Sequence, residues 1–313
     1  MFPTLKYRLV HDQLLDPARA RSEDGPLRGS GAGMVRPSDV VEPDAVGWDE
    51  LALVHTREYL GKMRDGTLSA QELAELELPW SPEMVDGFRV MVGGTIKAAK
   101  IACGLEASEI PHSASGVACH IGGGLHHAFP NHGEGFCPFN DVAVAVRVLQ
   151  ASGIERIAVV DLDVHHGNGT AFVFESDARV FTFSMHQQHN YPMWKPRGSL
   201  DVGLPDGVRD ATFLRELELA LPKVMASDPR CVFYLAGADP YEHDQLGGLR
   251  LTREGLRRRD QMVIESVKAA GVPLVVTLAG GYARRVADTV AIHVTTIEEA
   301  ATAFRRASDR TPS

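Results

Sequence analysis

Ile157-Ala158-Val159-Val160-Asp161-Leu162-Asp163-Val164-His165-His166-Gly167-Asn168-Gly169 is the stretch on which the reading of this chain turns. Its first four residues are apolar and mostly β-branched, which suits a strand buried on both faces. The polar residues then arrive together. Side chains alternate along extended backbone, so Asp161, Asp163 and His165 point to one side. A carboxylate and an imidazole two residues apart can ligate one divalent cation. A catalytic zinc takes three protein ligands and a water, so a third ligand must come from another part of the chain. A lone acid at a strand end is more often a helix cap or a solvated loop residue. The density of acids and imidazoles in this run argues for a site instead. His166 reads as a core or supporting residue.

Outward from this stretch the pattern repeats. Val180-Phe181-Thr182-Phe183, Val232-Phe233-Tyr234-Leu235 and Pro273-Leu274-Val275-Val276-Thr277-Leu278 are further buried-strand candidates. Helix candidates lie at about 82–103, 140–151, 211–226 and 252–270. The first opens on Ser81-Pro82-Glu83, a cap, a proline at the first helical position and an acid near the positive end of the dipole, although Gly93-Gly94 weakens its interior. The last runs from a Thr252 cap to Gly271 and Pro273. Alternation of this kind predicts an α/β fold: a single domain over residues 1–313, with a mostly parallel sheet flanked by helices on both faces. Residues 16–45 read as surface loop, residues 305–313 as a frayed tail, and Arg257-Arg258-Arg259 as a solvated helix face.

In an open α/β sheet, ligands bind beyond the carboxyl ends of the strands. Three strand ends carry chemistry here: Asp161 to His166 after one, Ala236 to Asp239 after another and Gly280 to Tyr282 after a third. Ala236-Gly237-Ala238-Asp239 offers Asp239, the best candidate for the third metal ligand. Ala279-Gly280-Gly281-Tyr282 ends in a phenol that can donate a hydrogen bond to a developing oxyanion. In Gly122-Gly123-Gly124-Leu125-His126-His127-Ala128 a glycine turn precedes two histidines. A neutral imidazole beside an activated water is a suitable general base, because its ordinary pKa is near 6.5. Gly135-Phe136-Cys137-Pro138-Phe139-Asn140-Asp141 supplies two aromatics, of which Phe136 reads as a channel wall and Phe139 as core.

The composition narrows the field. The chain has 313 residues, 44% hydrophobic and 23% charged, an ordinary globular mix. A net charge of −9 argues against a general nucleic-acid binder and leaves room for a cationic substrate. The four cysteines form no CxxC pair, which argues against a thiolate zinc site and suits a reducing compartment. No apolar run approaches the roughly 18 residues of a membrane span, and the first residues carry no leader signature, so a cytoplasmic protein is expected. Nine of the 13 histidines fall between His112 and His189, around the motifs above.

Together, Gly122–Ala128, Gly135–Asp141, Asp161–Gly169, Gly237–Asp239 with Asp244-Gln245-Leu246-Gly247-Gly248, and Gly280–Tyr282 resemble the zinc-dependent histone deacetylase family. That family includes acetylpolyamine amidohydrolases and acetoin-utilisation proteins. The resemblance covers about residues 50–295, with every motif in the family's order. Gly93-Gly94-Thr95-Ile96, Asn190-Tyr191-Pro192, Leu246-Gly247-Gly248-Leu249 and Arg284-Arg285 after Tyr282 are similar to the class IV branch and its bacterial relatives.

The resemblance implies an arginase/deacetylase-like fold and a zinc amidohydrolase that removes acetyl or long-chain fatty acyl groups from acyl-lysine in a protein or peptide. It implies Asp163, His165 and Asp239 as zinc ligands. It implies His126 and His127 as the catalytic pair, with His127 as base and acid, Asp161 orienting His126, and Tyr282 polarising the carbonyl. Gly135, Phe136 and Tyr191 match channel walls. Asp161, Asp163, His165, Ser184 and Met185 fall where relatives bind a structural K+. Two positions depart from the commonest pattern. Asn168 stands where class I members have an aspartate paired with the second histidine, and a neutral partner supports imidazolium less, so His127 is expected to be less basic. Ala279 stands where many members have glycine. The family's rim aspartate has no match in residues 65–82. The alternatives are an acetylpolyamine amidohydrolase, whose longer dimer-forming insert is missing from the sequence, an arginase-type ureohydrolase, which needs a second metal, and a non-catalytic acyl-lysine binder.

Overall fold

The computed structural model describes residues 4–15, 35–106 and 116–304. The tail read at 305–313 and most of the loop read at 16–45 lie outside the described residues. The helices are α1 (Leu5–Leu15), α2 (Trp48–Leu51), α3 (Arg57–Asp65), α4 (Ala70–Leu76), α5 (Pro82–Ala102), α6 (Asp141–Ala151), α7 (Asn168–Phe174), α8 (Asp210–Met225), α9 (Arg253–Ala269) and α10 (Val286–Phe304). The strands are β1 (Val117–His120), β2 (Ile157–Asp161), β3 (Val180–Gln187), β4 (Leu200–Leu204), β5 (Cys231–Leu235) and β6 (Leu274–Thr277). They form one sheet in the order β1-β6-β5-β2-β3-β4, and every pairing is parallel.

The inner strands are apolar on both faces because both faces are covered. Ile157, Val159, Phe233, Leu235 and Val275 pack into one core with α5 and α6. Their neighbours Ala158, Val160, Val232, Tyr234, Leu274 and Val276 pack into a second core with α8 and α9. This two-sided burial turns the period-2 pattern into a continuous apolar run. Helix α1 lies on α10, where Val10 and Leu14 meet Val290, Val294 and Ile297.

Side-chain caps set several helix starts. Ser81 Oγ accepts from Met84 N–H and Thr252 Oγ1 accepts from Gly255 N–H, each worth about 1 kcal/mol over alanine. Gly93 and Gly94 do not break α5, and close approach explains both. A Cβ on Gly93 would lie 1.9 Å from the Asp44 carbonyl oxygen, and one on Gly94 would lie 2.4 Å from His120 Nε2.

The Arg257-Arg258-Arg259 run is a correction to the sequence reading. Arg258 is exposed, but Arg257 pairs with Glu299 at 2.7 Å and Arg259 is wholly buried. Arg259 points inward from α9. Its Nε donates to Asp260 Oδ1 at 2.9 Å, and its Nη1 donates to Gly237 O at 2.6 Å.

The chain order places the site. After β2 the strands are added outward in one direction, to β3 and β4. After β5 they are added in the other, to β6 beside β1. β2 and β5 are direct neighbours at the reversal, where α/β sheets open a crevice beyond their carboxyl ends.

Candidate active site

Asp163 and His165 follow β2, and Asp239 follows β5, so the reversal in strand order brings them together. All three are buried, and one ligand atom from each lies within 4.8 Å of the others. Local hydrogen bonds fix their poses. Asp163 Oδ1 accepts from His165 N–H at 3.0 Å and lies 3.0 Å from His165 Nδ1, and Asp163 Oδ2 accepts from Gly280 N–H at 2.8 Å. Asp239 Oδ1 accepts from Val164 N–H at 2.8 Å. Asp239 Oδ2 is left buried with no hydrogen-bond partner.

Two carboxylates and an imidazole crowded in low dielectric strain one another. Burial and the charge of Asp163 push Asp239 up to about 7. Burial works against a charged His165, yet Asp163 and Asp239 raise it to about 10. The orphaned oxygen, the converging donors and the surplus acid are what a divalent cation would resolve, so the residues fit a metal. Gly280 makes the close approach possible, because a Cβ there would lie 1.9 Å from Asp239 Oδ2.

His126 and His127 follow the turn after β1, with Nε2 atoms 3.1 Å apart. His126 Nδ1 is 2.6 Å from Asp161 Oδ2, and His127 Nδ1 is 2.7 Å from Asn168 Oδ1. Burial opposes a charged His126, but the Asp161 carboxylate outweighs it and raises the ring to about 9. His127 lies well below the ordinary histidine value. Burial is the main cause and the charges of His126 and His165 add to it, while the Asn168 bond works in the other direction. The depression below an ordinary histidine thus comes chiefly from desolvation and not from Asn168.

Tyr282 lines the same cavity of about 210 Å³ as His126, His127, Asp163 and His165. Its backbone N–H donates to Asp244 Oδ2 at 2.6 Å, and burial pushes its phenol well up. The preceding Ala279 has φ 52°, a left-handed conformation that strains a residue with a Cβ. Lys6 Nζ, reaching from α1, donates to Ala279 O at 2.9 Å, and Ala279 N–H donates to Gly123 O at 3.2 Å. Burial lowers Lys6 to about 8.

Gly135, Phe136 and Tyr191 line the cavity, while Phe139 is in the core. His166 is buried with Nε2 3.3 Å from Asp201 Oδ1, outside the Asp163–His165–Asp239 group. Ser184 is the register partner of Asp161 across β2 and β3, and Met185 is the next residue on β3. Several residues that sequence reasoning did not single out also belong here. Lys6 braces the turn before Tyr282. Glu77 lines the cavity from the divergent 65–82 segment. Glu134, immediately before Gly135, binds both Asn168 and Tyr191. Proximity to Gly135-Phe136 was the one signal for Glu134.

Comparison with known proteins points to one family. The family model described as histone deacetylase domain matches residues 14–297. An uncharacterised protein of Picosynechococcus sp. is 40% identical over 294 residues, 93% of this chain and 90% of that one. Histone deacetylase 2 of Arabidopsis thaliana is 31% identical over 273 residues, 82% of this chain and 68% of that one. Acetoin utilization protein AcuC of Staphylococcus aureus is 29% identical over 248 residues, 72% and 61% of the two chains. A crystal structure of an HDAC homologue complexed with SAHA superimposes with a TM-score of 0.72 at 24% identity, covering 93% of this chain and 81% of that one, a likeness of fold.

Proposed function

The chain belongs to the histone deacetylase family, and from that premise we propose that it is a zinc-dependent amidohydrolase that removes an acyl group from the side-chain amide of acylated lysine. One observation carries the reading: Asp163, His165 and Asp239 converge beside the same cavity that His126, His127 and Tyr282 line. A zinc ion held by those three ligands would supply a Lewis acid that polarises the acyl carbonyl and lowers the pKa of water.

The protein's own groups do the rest. His127, neutral because it is buried, takes a proton from water at Nε2 and later returns it to the departing amine. His126 stays cationic beside Asp161 and adds positive charge next to the reacting oxygen. The Tyr282 phenol stays protonated and donates to the oxygen as negative charge develops. Phe136 and Tyr191 wall the acyl channel and Gly135 leaves it open. A cavity of about 210 Å³ is smaller than the roughly 300–1,000 Å³ of drug-sized pockets, which favours a slender acyl-lysine side chain.

A structural K+ beneath the site, touching Asp161, Asp163, His165, Ser184 and Met185, is part of the same proposal, and the pairing of Asp161 with Ser184 supports it. So is a place near class IV within the family. The net charge of −9 suits a cationic protein tail or peptide. Among the described residues no helix is long and apolar enough to cross a membrane, and a cytoplasmic location is the corresponding proposal.

The test is zinc analysis followed by hydrolysis assays on acetyl-, octanoyl- and myristoyl-lysine peptides and on an acetylated polyamine. The expected result is one zinc per chain, lost in Asp239→Asn, and acyl release from lysine peptides with acetyl preferred. Tight zinc without release from any lysine peptide would overturn the reading. Release from the polyamine alone would replace the substrate.

A further inference from the structure

Behind His127 the hydrogen bonds do not stop at an amide. Asn168 Oδ1 faces His127 Nδ1 at 2.7 Å, and Asn168 Nδ2 donates to Glu134 Oε1 at 3.1 Å. The same Glu134 oxygen accepts from the Tyr191 hydroxyl at 2.7 Å, and Glu134 Oε2 lies 3.6 Å from His132 Nε2. Glu134 is held in place by its backbone, which exchanges hydrogen bonds with Cys137 at 3.2 and 2.9 Å. Burial would raise its carboxyl, but hydrogen bonds from His132, Tyr191 and Asn168 prevail and keep it below the ordinary range, so it is an ionised acceptor.

That chain of contacts has one consistent set of protons. An ionised carboxylate only accepts, so the NH₂ of Asn168 must face Glu134. A flipped amide would set its oxygen against Glu134, two acceptors about 3 Å apart. With the amide oriented this way, its oxygen faces His127 and requires the proton there to sit on Nδ1. A neutral imidazole carries one proton, and with that proton on Nδ1 the His127 ring is bare at Nε2.

We propose that Glu134 is a positioning residue that, by orienting Asn168, holds His127 in the Nδ1–H tautomer with Nε2 free to take a proton, while the same carboxylate oxygen anchors the channel wall through Tyr191. The inference rests on the reading of His127 as the proton carrier. A carboxylate is present behind this histidine after all, one residue further out than a direct Asp partner would be. Because it acts through a neutral amide, it fixes the tautomer without placing a negative charge on the ring. It also ties the position of the base to the position of the wall that the substrate slides along.

The test uses zinc-loaded full-length protein with ¹⁵N-labelled histidine. Ring-nitrogen chemical shifts report the His127 tautomer independently of turnover. Glu134→Gln keeps an acceptor oxygen for both Asn168 and Tyr191. Glu134→Leu removes it, and Tyr191→Phe removes only the wall hydroxyl. Wild type, Glu134→Gln and Tyr191→Phe should show protonated Nδ1. Glu134→Leu should show mixed tautomers and a kcat lower by about 10²-fold, the low end of what a positioned general base contributes, with KM little changed. Tyr191→Phe should change KM more than kcat. An unchanged tautomer and kcat in Glu134→Leu would overturn the proposal. So would an equal loss in Glu134→Gln, which would make the charge rather than the hydrogen bond the active element. If wild type releases no acyl group while the tautomer still follows Glu134, the functional reading fails and the positioning role stands.

Discussion

The buried histidines fall on two sides electrically: His126 and His165 each sit beside a carboxylate, and they are raised to about 9 and about 10 against the penalty of burial. His127 and His55 fall on the other side: His127, with Nε2 3.1 Å from that of His126, meets an amide, His55 meets only backbone groups, and burial lowers both. The rings are comparably buried, so the difference lies in their partners. A desolvated imidazole charges where a carboxylate stands beside it and stays neutral where its partners are dipoles. On the proposed function, the charged side would attract a cation and stabilise negative charge, and His127 would move a proton. Backbone and amide partners keep the second side neutral at the cost of holding each ring to one tautomer.

The charged side depends on support from behind. Arg259 bonds Gly237 O, two residues before Asp239, and its Nη1 is 3.4 Å from Leu162 O, next to Asp163. Asp260 balances the guanidinium and also accepts from Tyr234 at 2.5 Å and Thr296 at 2.6 Å. Arg259→Met would leave Asp260 an uncompensated buried charge, and removing one partner of such a pair costs about 3–5 kcal/mol. Urea unfolding should show that loss; a change under about 1 kcal/mol would mean that the ion cluster does not brace the ligand loops. Tyr282 lines the same cavity and tests whether oxyanion stabilisation needs a donor besides the charged side. Tyr282→Phe should lower kcat by about 10²–10³-fold with zinc content and melting temperature unchanged. Near-normal turnover would assign that work to the charged side alone.

How much of this was legible in the sequence follows the same division. Strands β2, β5 and β6 read correctly because burial on both faces gives continuous apolar runs, and α5 and α9 because Ser81 and Thr252 mark their starts. Edge strands β1 and β4 were not picked out. They are partly exposed, and Val117–His120 and Leu200–Leu204 carry polar residues or glycine where an inner strand would be apolar. Asp163, His165 and Asp239 could be singled out because acids and an imidazole directly after buried strands are a conspicuous pattern. Glu134 could not, because its meaning depends on Asn168 and Tyr191, 34 and 57 residues away. Arg259 was misread for the complementary reason. Three arginines in a row look like a solvated face, and only the packing of α9 against the loops after β2 and β5 shows that one of them turns inward.

The neutral side makes a prediction about acid. His55 Nδ1 lies 3.0 Å from Phe129 O, which can only accept, and His55 Nε2 accepts from Asn140 N–H at 3.0 Å. A second proton on His55 would set Nε2–H against the Asn140 N–H, and burial accordingly lowers this ring to about 4 from an ordinary 6.5. A base with a depressed folded-state value contributes stability that is present above the unfolded value and lost as pH falls toward the folded one. Between pH 6.5 and 4 the unfolded chain binds a proton that folded His55 refuses, so stability falls by up to about 3 kcal/mol from this residue. His126 has the opposite sign. Raised to about 9, its contribution is complete below 6.5 and is lost as pH rises through 9. Denaturant midpoints measured from pH 7 to 4 should therefore fall in wild type and fall less steeply in His55→Gln, whose amide can donate to Phe129 O and accept from Asn140 without titrating. Equal slopes in the two proteins would mean that His55 takes up its second proton without disturbing the loop behind His127. The neutrality of this side would then rest on His127 alone.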